Sequence, residues 1–424
     1  MEAGTEPLAR NRDFGILAIT QGISAAGDAV SGTALPLLVL ALTGSGFVMG
    51  VVGTIQTITD FAFGTVAGAL ADRGDRKAMM FGADAGRAIL TAAIPLSVAL
   101  GGPTMPVILV VAGPIAILRG VFRAGYLASL PNLVGRPLLA RGTAILETVY
   151  SSAFIVGPSI AGLLATVIGP GETLAVDAAS FGLSAAGLFL IHRDLRAPAS
   201  AERSRIVDDI REGVAFVVHH PTLRSAVAVF ALGNAVLAPM TAALTFRVIR
   251  DLGQPAAAFG LVLTVYGVGT LLGSLGATRL RPHTNVAVVL VLAFAAIGLG
   301  LIGAAAVSSL PIIAVLFAIA GMGEAVLVIT YITVRAANSP DHLLGRIAST
   351  ARVFALGVQP IGLLVAGALI DRIGGTATLA LLGGAMLLAS LAVVSARTLR
   401  ETTVAPRVVP SLPFTEEPDP ARLI

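Results

Sequence analysis

Apolar residues run through this chain in blocks of roughly span length, cut by short stretches where charge, glycine and proline collect. The blocks fall near residues 14–41, 46–70, 78–100, 104–127, 138–166, 172–191, 224–246, 256–278, 284–306, 309–335, 347–370 and 374–396. A helix rises about 1.5 Å per residue, so about 20 apolar residues cross a hydrocarbon layer about 30 Å thick. The pattern therefore predicts twelve transmembrane helices, and an even number puts both chain ends on one side. The longest polar break, 192–223, holds Ile206, Ile210, Val214, Val217 and Val218 at helical spacing. It predicts an amphipathic interfacial helix joining two groups of six spans.

Composition makes lipid the solvent. Hydrophobic residues are 56% of the 424 and charged residues only 12%, at a mean hydropathy of +0.91, which leaves no charged shell for a water-soluble surface. The net charge of +4 does not point to nucleic acid, because no polar domain exists to carry such a site. There are no cysteines, and His192, His219, His220, His283 and His342 show no ligand spacing, so neither a metal nor another cofactor is expected. Residues 1–13 are polar with both charge signs, unlike a signal peptide, so the first apolar block is read as a retained span.

Basic residues set the orientation. With the N-terminus cytoplasmic, only Arg247, Arg250 and Arg372 of the 28 lysines and arginines fall in outer loops, as the positive-inside bias requires. An offset of about 209 lays Gly64 on Gly273, Gly68 on Ala277, Pro131 on Pro340 and Asn132 on Asp341, with Arg136 and Arg346 one residue off that register. A duplicated six-plus-six plan follows. The expected parts are a cytoplasmic N-terminal tail (1–13), an N-terminal bundle (14–191), a cytoplasmic linker (192–223), a C-terminal bundle (224–396) and a disordered cytoplasmic tail (397–424).

Between spans 2 and 3 stands Gly68-Ala69-Leu70-Ala71-Asp72-Arg73-Gly74-Asp75-Arg76-Lys77. Gly64 and Gly68, four apart on one helix face, are expected to admit a close neighbouring helix. Asp72 is placed to accept from an opposing helix N-terminus or an arginine, while Arg73, Arg76 and Lys77 anchor the turn in the cytoplasm. The segment resembles the signature loop of the major facilitator superfamily, G-x-L-A-D-R-x-G-R-K, with Asp75 in place of the second glycine. That departure is similar to the branch containing macrolide-efflux and siderophore-export proteins. The same branch is suggested by Thr43-Gly44-Ser45, by Asp84 with Arg87 in span 3, by Pro131-Asn132-Leu133-Val134 after span 4, by Arg211-Glu212-Gly213 and by Pro340 through Gly345-Arg346. The resemblance implies an all-α membrane protein, twelve helices in two pseudo-symmetric six-helix bundles around a cavity that opens to each side in turn. In span 5, Gly157-Pro158-Ser159-Ile160-Ala161-Gly162 is similar to the segment the superfamily's antiporters carry there, with Ala153 and Ala161 where that pattern prefers glycine.

Ionisable groups within spans are costly unless paired, hydrated or neutralised, so they are the candidates for function. Asp28 (span 1), Asp60 (span 2) and Glu324 (span 10) fall nearest the midplane, with Glu147 in the inner half of span 5 and Asp177 in the outer half of span 6. Desolvation favours the protonated form of a carboxylate, which suits proton exchange. Asp28 lies in a polar, small-residue stretch, Glu324 in Gly321-Met322-Gly323, where the glycines are expected to open the helix, and Glu147 and Asp177 are read as interhelical hydrogen-bonding groups. Asp84 and Arg87 share a helix face as a structural or gating ion pair. Arg119, in Leu118-Arg119-Gly120, resembles the superfamily's span 4 arginine, with Arg123 one turn on as its competitor. Phe61, Phe63, Tyr150, Phe154, Phe181, Phe230, Tyr266 and Tyr331 are available to line a cavity.

The expected function is export of an amphiphilic small molecule, a drug or siderophore-like metabolite, by proton antiport across the bacterial cytoplasmic membrane. Expected partners are that substrate, protons and the bilayer, with the chain acting as a monomer. The rivals are an uptake symporter or lysophospholipid transporter of the same fold and, from another class, a non-transporting membrane receptor. An enzyme is disfavoured by the absence of metal-ligand clusters and of a nucleophile elbow, and a nucleotide-driven pump by the absence of a P-loop.

Overall fold

The computed structural model describes residues 8, 10–71, 74–196, 206–279, 284–340 and 343–403. Asp72 and Arg73 of the signature loop, Asp341, His283, His342 and the tail beyond 403 lie outside the described residues, as does the side chain of Arg136.

Among the described residues, nine stretches are long and apolar enough to cross a membrane, and one of them, Leu344–Ser395, is two helices divided at Gly374 (φ 81°). The more polar Arg76–Ala99 and Pro170–Phe189 complete twelve spans. In chain order span 1 is Arg12–Thr43, span 2 Gly46–Ala71, span 3 Arg76–Ala99, span 4 Thr104–Gly135, span 5 Pro137–Val167 and span 6 Pro170–Phe189. The linker helix Ile206–His219 follows. Span 7 is Pro221–Asp251, span 8 Ala256–Ala277, span 9 Val286–Ala306 and span 10 Leu310–Ala337. Span 11 is Leu344–Leu356 continued from Gln359, and span 12 runs on from Gly374 to Ser395.

The duplication expected from the offset is visible in the backbone. Gly44 (φ 65°) closes span 1 and Gly253 (φ 61°) follows span 7, the same offset of about 209 apart, both in the left-handed conformation that favours glycine. Prolines mark the interruptions: Pro239 lies where span 7 shifts its hydrogen bonding before a π turn at Phe246–Asp251, and Pro360 follows the break in span 11.

One expectation is corrected. Pro131-Asn132-Leu133-Val134 is not a loop after span 4; the helix continues through it and breaks only at Gly135 (φ 71°), after which Pro137 starts span 5. Proline removes one hydrogen bond without forcing a turn, whereas the positive φ does force one. The linker helix does form, and it rests on span 11: Glu212 ion-pairs with Arg346, and a Cβ on Gly213 would stand 2.8 Å from the Arg346 carbonyl.

The largest apolar cluster fills the C-terminal bundle with Phe259, Phe294, Ile297, Phe317 and Met386, and continues into the N-terminal bundle through Leu37, Met49 and Ile108. A second, smaller cluster of Phe14, Leu17, Met80, Phe122 and Leu133 lies at the tail-bearing end of the N-terminal bundle.

Candidate functional site

The two bundles touch at one end and part at the other. At the end carrying the span 1–2, 7–8 and 11–12 connections, glycines bring backbones together. A Cβ on Gly46 would stand 2.5 Å from Ile370, one on Gly367 2.6 Å from the Gly46 carbonyl, and one on Gly260 3.0 Å from the Pro158 carbonyl carbon. Small residues allow such approach where apolar burial gives helices no reason to prefer each other over lipid. Gly162 packs on Gly260 from the facing side, and the Ser159 hydroxyl donates to Thr264 Oγ1 at 2.7 Å. Gly157 instead packs within its own bundle, on Ala29 of span 1. Ser159 and Gly162 of the helix 5 segment thus lie in the seam between bundles.

Asp371 fastens this closed end. Its carboxylate, at the end of span 11, accepts from Ser45 Oγ (2.6 Å), Gly46 N (2.5 Å) and Phe47 N (3.2 Å), which caps the N-terminus of span 2 from the opposite bundle. An anion at a helix N-terminus satisfies free amides and meets the positive end of the helix dipole. Sequence reasoning missed this residue, although a signal existed: Gly367-Ala368-Leu369-Ile370-Asp371-Arg372 repeats the pattern of Gly68-Ala69-Leu70-Ala71-Asp72-Arg73.

Toward the tail-bearing end the same helices lie free. No described atom comes within 4 Å of a Cβ built on Gly64 or Gly68, and Phe61, Phe63, Tyr150, Phe154 and Phe354 are exposed. The close approach expected at Gly64 and Gly68 is therefore absent here, because the bundles diverge and no helix backs that face. The rest of the loop is tied to its own bundle. Asp75 caps span 3, accepting from the Ala78 amide at 3.0 Å, and that bond, with Arg196 3.6 Å away, holds its carboxyl below the usual range. Arg76 donates to the Ala71 and Ala128 carbonyls (2.9 and 2.8 Å), and Lys77 to the Ile191 carbonyl (2.7 Å) at the end of span 6.

Within the N-terminal bundle the structure joins residues that the sequence kept apart. Arg87, only 1% exposed, binds Asp28 at 2.5 Å and Asp84 at 3.2 Å, and its guanidinium lies 3.7 Å from the centre of the Phe181 ring. Asp84 is fully buried, and Asp28 keeps 24% of its side chain exposed. Asp177, also buried, accepts from Ser31 and Ser180, the interhelical role expected of it. Gly27 makes the assembly possible, since a Cβ there would stand 2.5 Å from Asp177 Oδ1 and 2.8 Å from Ser180 Cβ. Three carboxylates thus share an interior with one guanidinium.

The C-terminal bundle holds a simpler acid. Glu324 accepts a hydrogen bond from the Tyr266 hydroxyl of span 8. Its flanking glycines do not open the helix: span 10 is continuous, and a Cβ on Gly323 would lie 2.6 Å from the Ala293 carbonyl while Gly321 abuts the Tyr266 carbonyl. They are contact points for spans 8 and 9 rather than hinges.

Between the bundles, Asp60 meets Arg123 of span 4 at 3.4 Å and Arg352 of span 11 at 3.6 Å. Arg352 was not among the sequence candidates. Arg119 has no ion-pair partner among the described residues, and its Nε is buried without a hydrogen bond. Glu147 is exposed, and it has no hydrogen bond or ion pair among the described residues. Of the aromatic candidates, Phe181 and Tyr331 are buried, and Phe230 stacks on Tyr331 at 4.0 Å, the two together lining a small cavity inside the C-terminal bundle with Leu290, Leu327 and Val334. No metal-binding group of residues occurs among the described residues.

Residues 17–354 match the Major Facilitator Superfamily. The chain belongs to that superfamily. Among its relatives is the multidrug efflux pump Tap of Mycolicibacterium fortuitum, 29% identical over 397 residues, covering 92% of this chain and 96% of the relative. The pump of the same name from Mycobacterium tuberculosis is 31% identical over 394 residues (91% and 93%), and the enterobactin exporter EntS of Escherichia coli is 24% identical over 324 residues (74% and 75%). The fold matches the crystal structure of the nucleoside transporter NupG, with a TM-score of 0.75 at 13% identity over 91% of this chain and 99% of that one. It also matches a bacterial homologue of the lysosomal transporter Spinster in an inward-facing, unoccupied conformation, with a TM-score of 0.70 at 16% identity over 94% and 97%. A superfamily chain with this fold is a multi-pass membrane transporter of small molecules, and the one-ended cleft is the form an alternating-access carrier takes in one of its states.

Proposed function

We propose that this transporter exports an amphiphilic small molecule, a drug or siderophore-like metabolite, in exchange for protons, and that the cleft described here faces the cytoplasm. The basic residues gathered at the open end support the orientation. The observation that carries the coupling is the Asp28–Arg87–Asp84 cluster. Asp28 is its one member with substantial exposure, while Arg87 and Asp84 are shut away behind it. A proton arriving on Asp28 cancels the charge that Arg87 holds at 2.5 Å, and in a low-dielectric interior that removes the main attraction between spans 1 and 3. Proton uptake and helix movement are then one event, and substrate loaded from the cytoplasm leaves when the closed end opens. The Tap pumps and the enterobactin exporter, both named for outward transport, favour this direction over uptake.

Everted membrane vesicles test the proposal. With an acid interior, vesicles bearing the wild-type chain should accumulate a fluorescent efflux dye, an uncoupler should abolish accumulation, and Asp28→Asn should retain dye binding without accumulation. Accumulation that ignores the proton gradient, or that persists in Asp28→Asn, would refute the coupling; accumulation only when the gradient is reversed would refute the direction.

A further inference from the structure

We infer that the arginines converging on Asp60 form an anion subsite at the apex of the cleft, so that the substrate carries an oxyanion: a carboxylate, sulfonate, phosphate or ionised catechol. The inference deepens the transport reading by naming the charge of what is carried, and it rests on that reading only in treating the cleft as the substrate path.

Three observations lead there. Arg123 and Arg352 come from opposite bundles and meet at one carboxylate, so the site exists only where the halves face each other. Both pairs are long, 3.4 and 3.6 Å, against about 2.7–2.9 Å for a well-formed charge-assisted bond. Both guanidiniums remain about half exposed, at 44% and 50%. Asp60 therefore occupies the space between two planar forks without satisfying either. Arg119, one turn before Arg123 on span 4, has a buried Nε with no hydrogen bond among the described residues. Gly120, between them on span 4, faces the same carboxylate, since a Cβ there would lie in ordinary contact with Asp60 Oδ1 at 3.6 Å. Glu147 on span 5 pairs with none of the three arginines, and Asp28 is held by Arg87, so neither neutralises the surplus. Planar guanidiniums with more donors than acceptors suit a bidentate oxyanion. Asp60 then serves as its stand-in, filling the fork loosely until a better anion displaces it. Because Arg123 and Arg352 come from opposite bundles and meet at one carboxylate, the arrangement favours a ligand entering between the bundles over a bilayer headgroup.

Two dyes built on the same xanthene frame separate charge from shape: the dianion fluorescein and a cationic rhodamine. Fluorescence anisotropy on the full chain in phosphatidylcholine nanodiscs should show fluorescein binding about tenfold or more tighter than the rhodamine, a difference of about 1.4 kcal/mol. Arg123→Gln and Arg352→Gln should each weaken fluorescein about tenfold, Arg352→Lys should recover part of the loss, and Asp60→Asn should tighten it severalfold by freeing both forks. Equal or tighter rhodamine binding overturns the inference, as does fluorescein affinity indifferent to both arginine substitutions or weakened by Asp60→Asn. Nanodiscs containing phosphatidylglycerol should leave fluorescein affinity unchanged; competition by that lipid overturns the assignment to a cleft-borne anion. Thermal melting checks that each variant is folded. The assay uses no proton gradient, so an importer of anions passes it and fails the vesicle test, whereas a proton-driven exporter of cations does the reverse.

Discussion

The two bundles descend from one duplicated plan but bury acid differently. In the N-terminal bundle Asp28, Asp84 and Asp177 surround Arg87, so the interior is ionic and each member depends on the others. In the C-terminal bundle Glu324 meets a tyrosine and no cation among the described residues, amid a larger apolar cluster. A carboxylate paired with a guanidinium loses an ion pair when it is neutralised. A carboxyl beside a hydroxyl can take a proton and keep its partner. The difference teaches that neutralising an acid would cost ion pairs in the N-terminal bundle but leave a hydrogen bond intact in the C-terminal bundle.

The sharpest way to break this comparison is Arg87→Met, which strands buried carboxylates. Removing one partner of a buried ion pair costs about 3–5 kcal/mol, so the variant is expected to lose most folded protein on size-exclusion chromatography in detergent. A well-folded variant would mean that the cluster is already neutral. The counterpart in the other bundle, Glu324→Gln, keeps a hydrogen-bond acceptor for Tyr266 and should change stability by about 1 kcal/mol or less, read as a small shift in melting temperature. A collapse equal to that of Arg87→Met would erase the distinction between the bundles.

Asp371→Asn probes the closed end, which both bundles share. Loss of charge at three donors should shift the balance toward opening of that end by about 1–2 kcal/mol, or roughly tenfold in population. The chain has no cysteine, so spin-label pairs across the span 2–11 seam can report that shift by distance measurement without a cysteine-free background having to be made. An unchanged distance distribution would show that the glycine contacts alone hold the seam. The smallest effect is expected at Asp75→Ala, about 1 kcal/mol for a lost N-cap. Because the folded carboxyl titrates below its ordinary value of 3.8, the wild-type advantage is present above that value and disappears as pH falls through the folded pKa. Melting curves should therefore separate the two proteins at neutral pH, and the separation should shrink as the pH is taken down into the acid range below 3.8.

Most of the fold could be read from the chain. Each predicted span is present, because about 20 apolar residues in lipid have few alternatives to a helix that satisfies its own backbone. The boundary error at Pro131 arose because proline is a strong signal of interruption in sequence but a weak one where a helix can bend. The site was legible in parts. Asp28, Asp84, Arg87 and Asp177 stood out as charges in apolar runs, but their assembly depends on how span 6 approaches span 1 across Gly27, and no local spacing encodes that. Arg352 and Asp371 went unread because their partners lie in the other bundle, about 300 positions away in the chain.

The sequence by itself determined the number of spans, the duplication, the side preferred by basic residues and the set of charges that must find partners in lipid. Only the tertiary structure decided which charges pair, which glycines face a helix, and which end is closed. Hydrophobic length is a one-dimensional property that each span carries alone, whereas pairing and closure depend on contacts between spans that lie far apart in the chain.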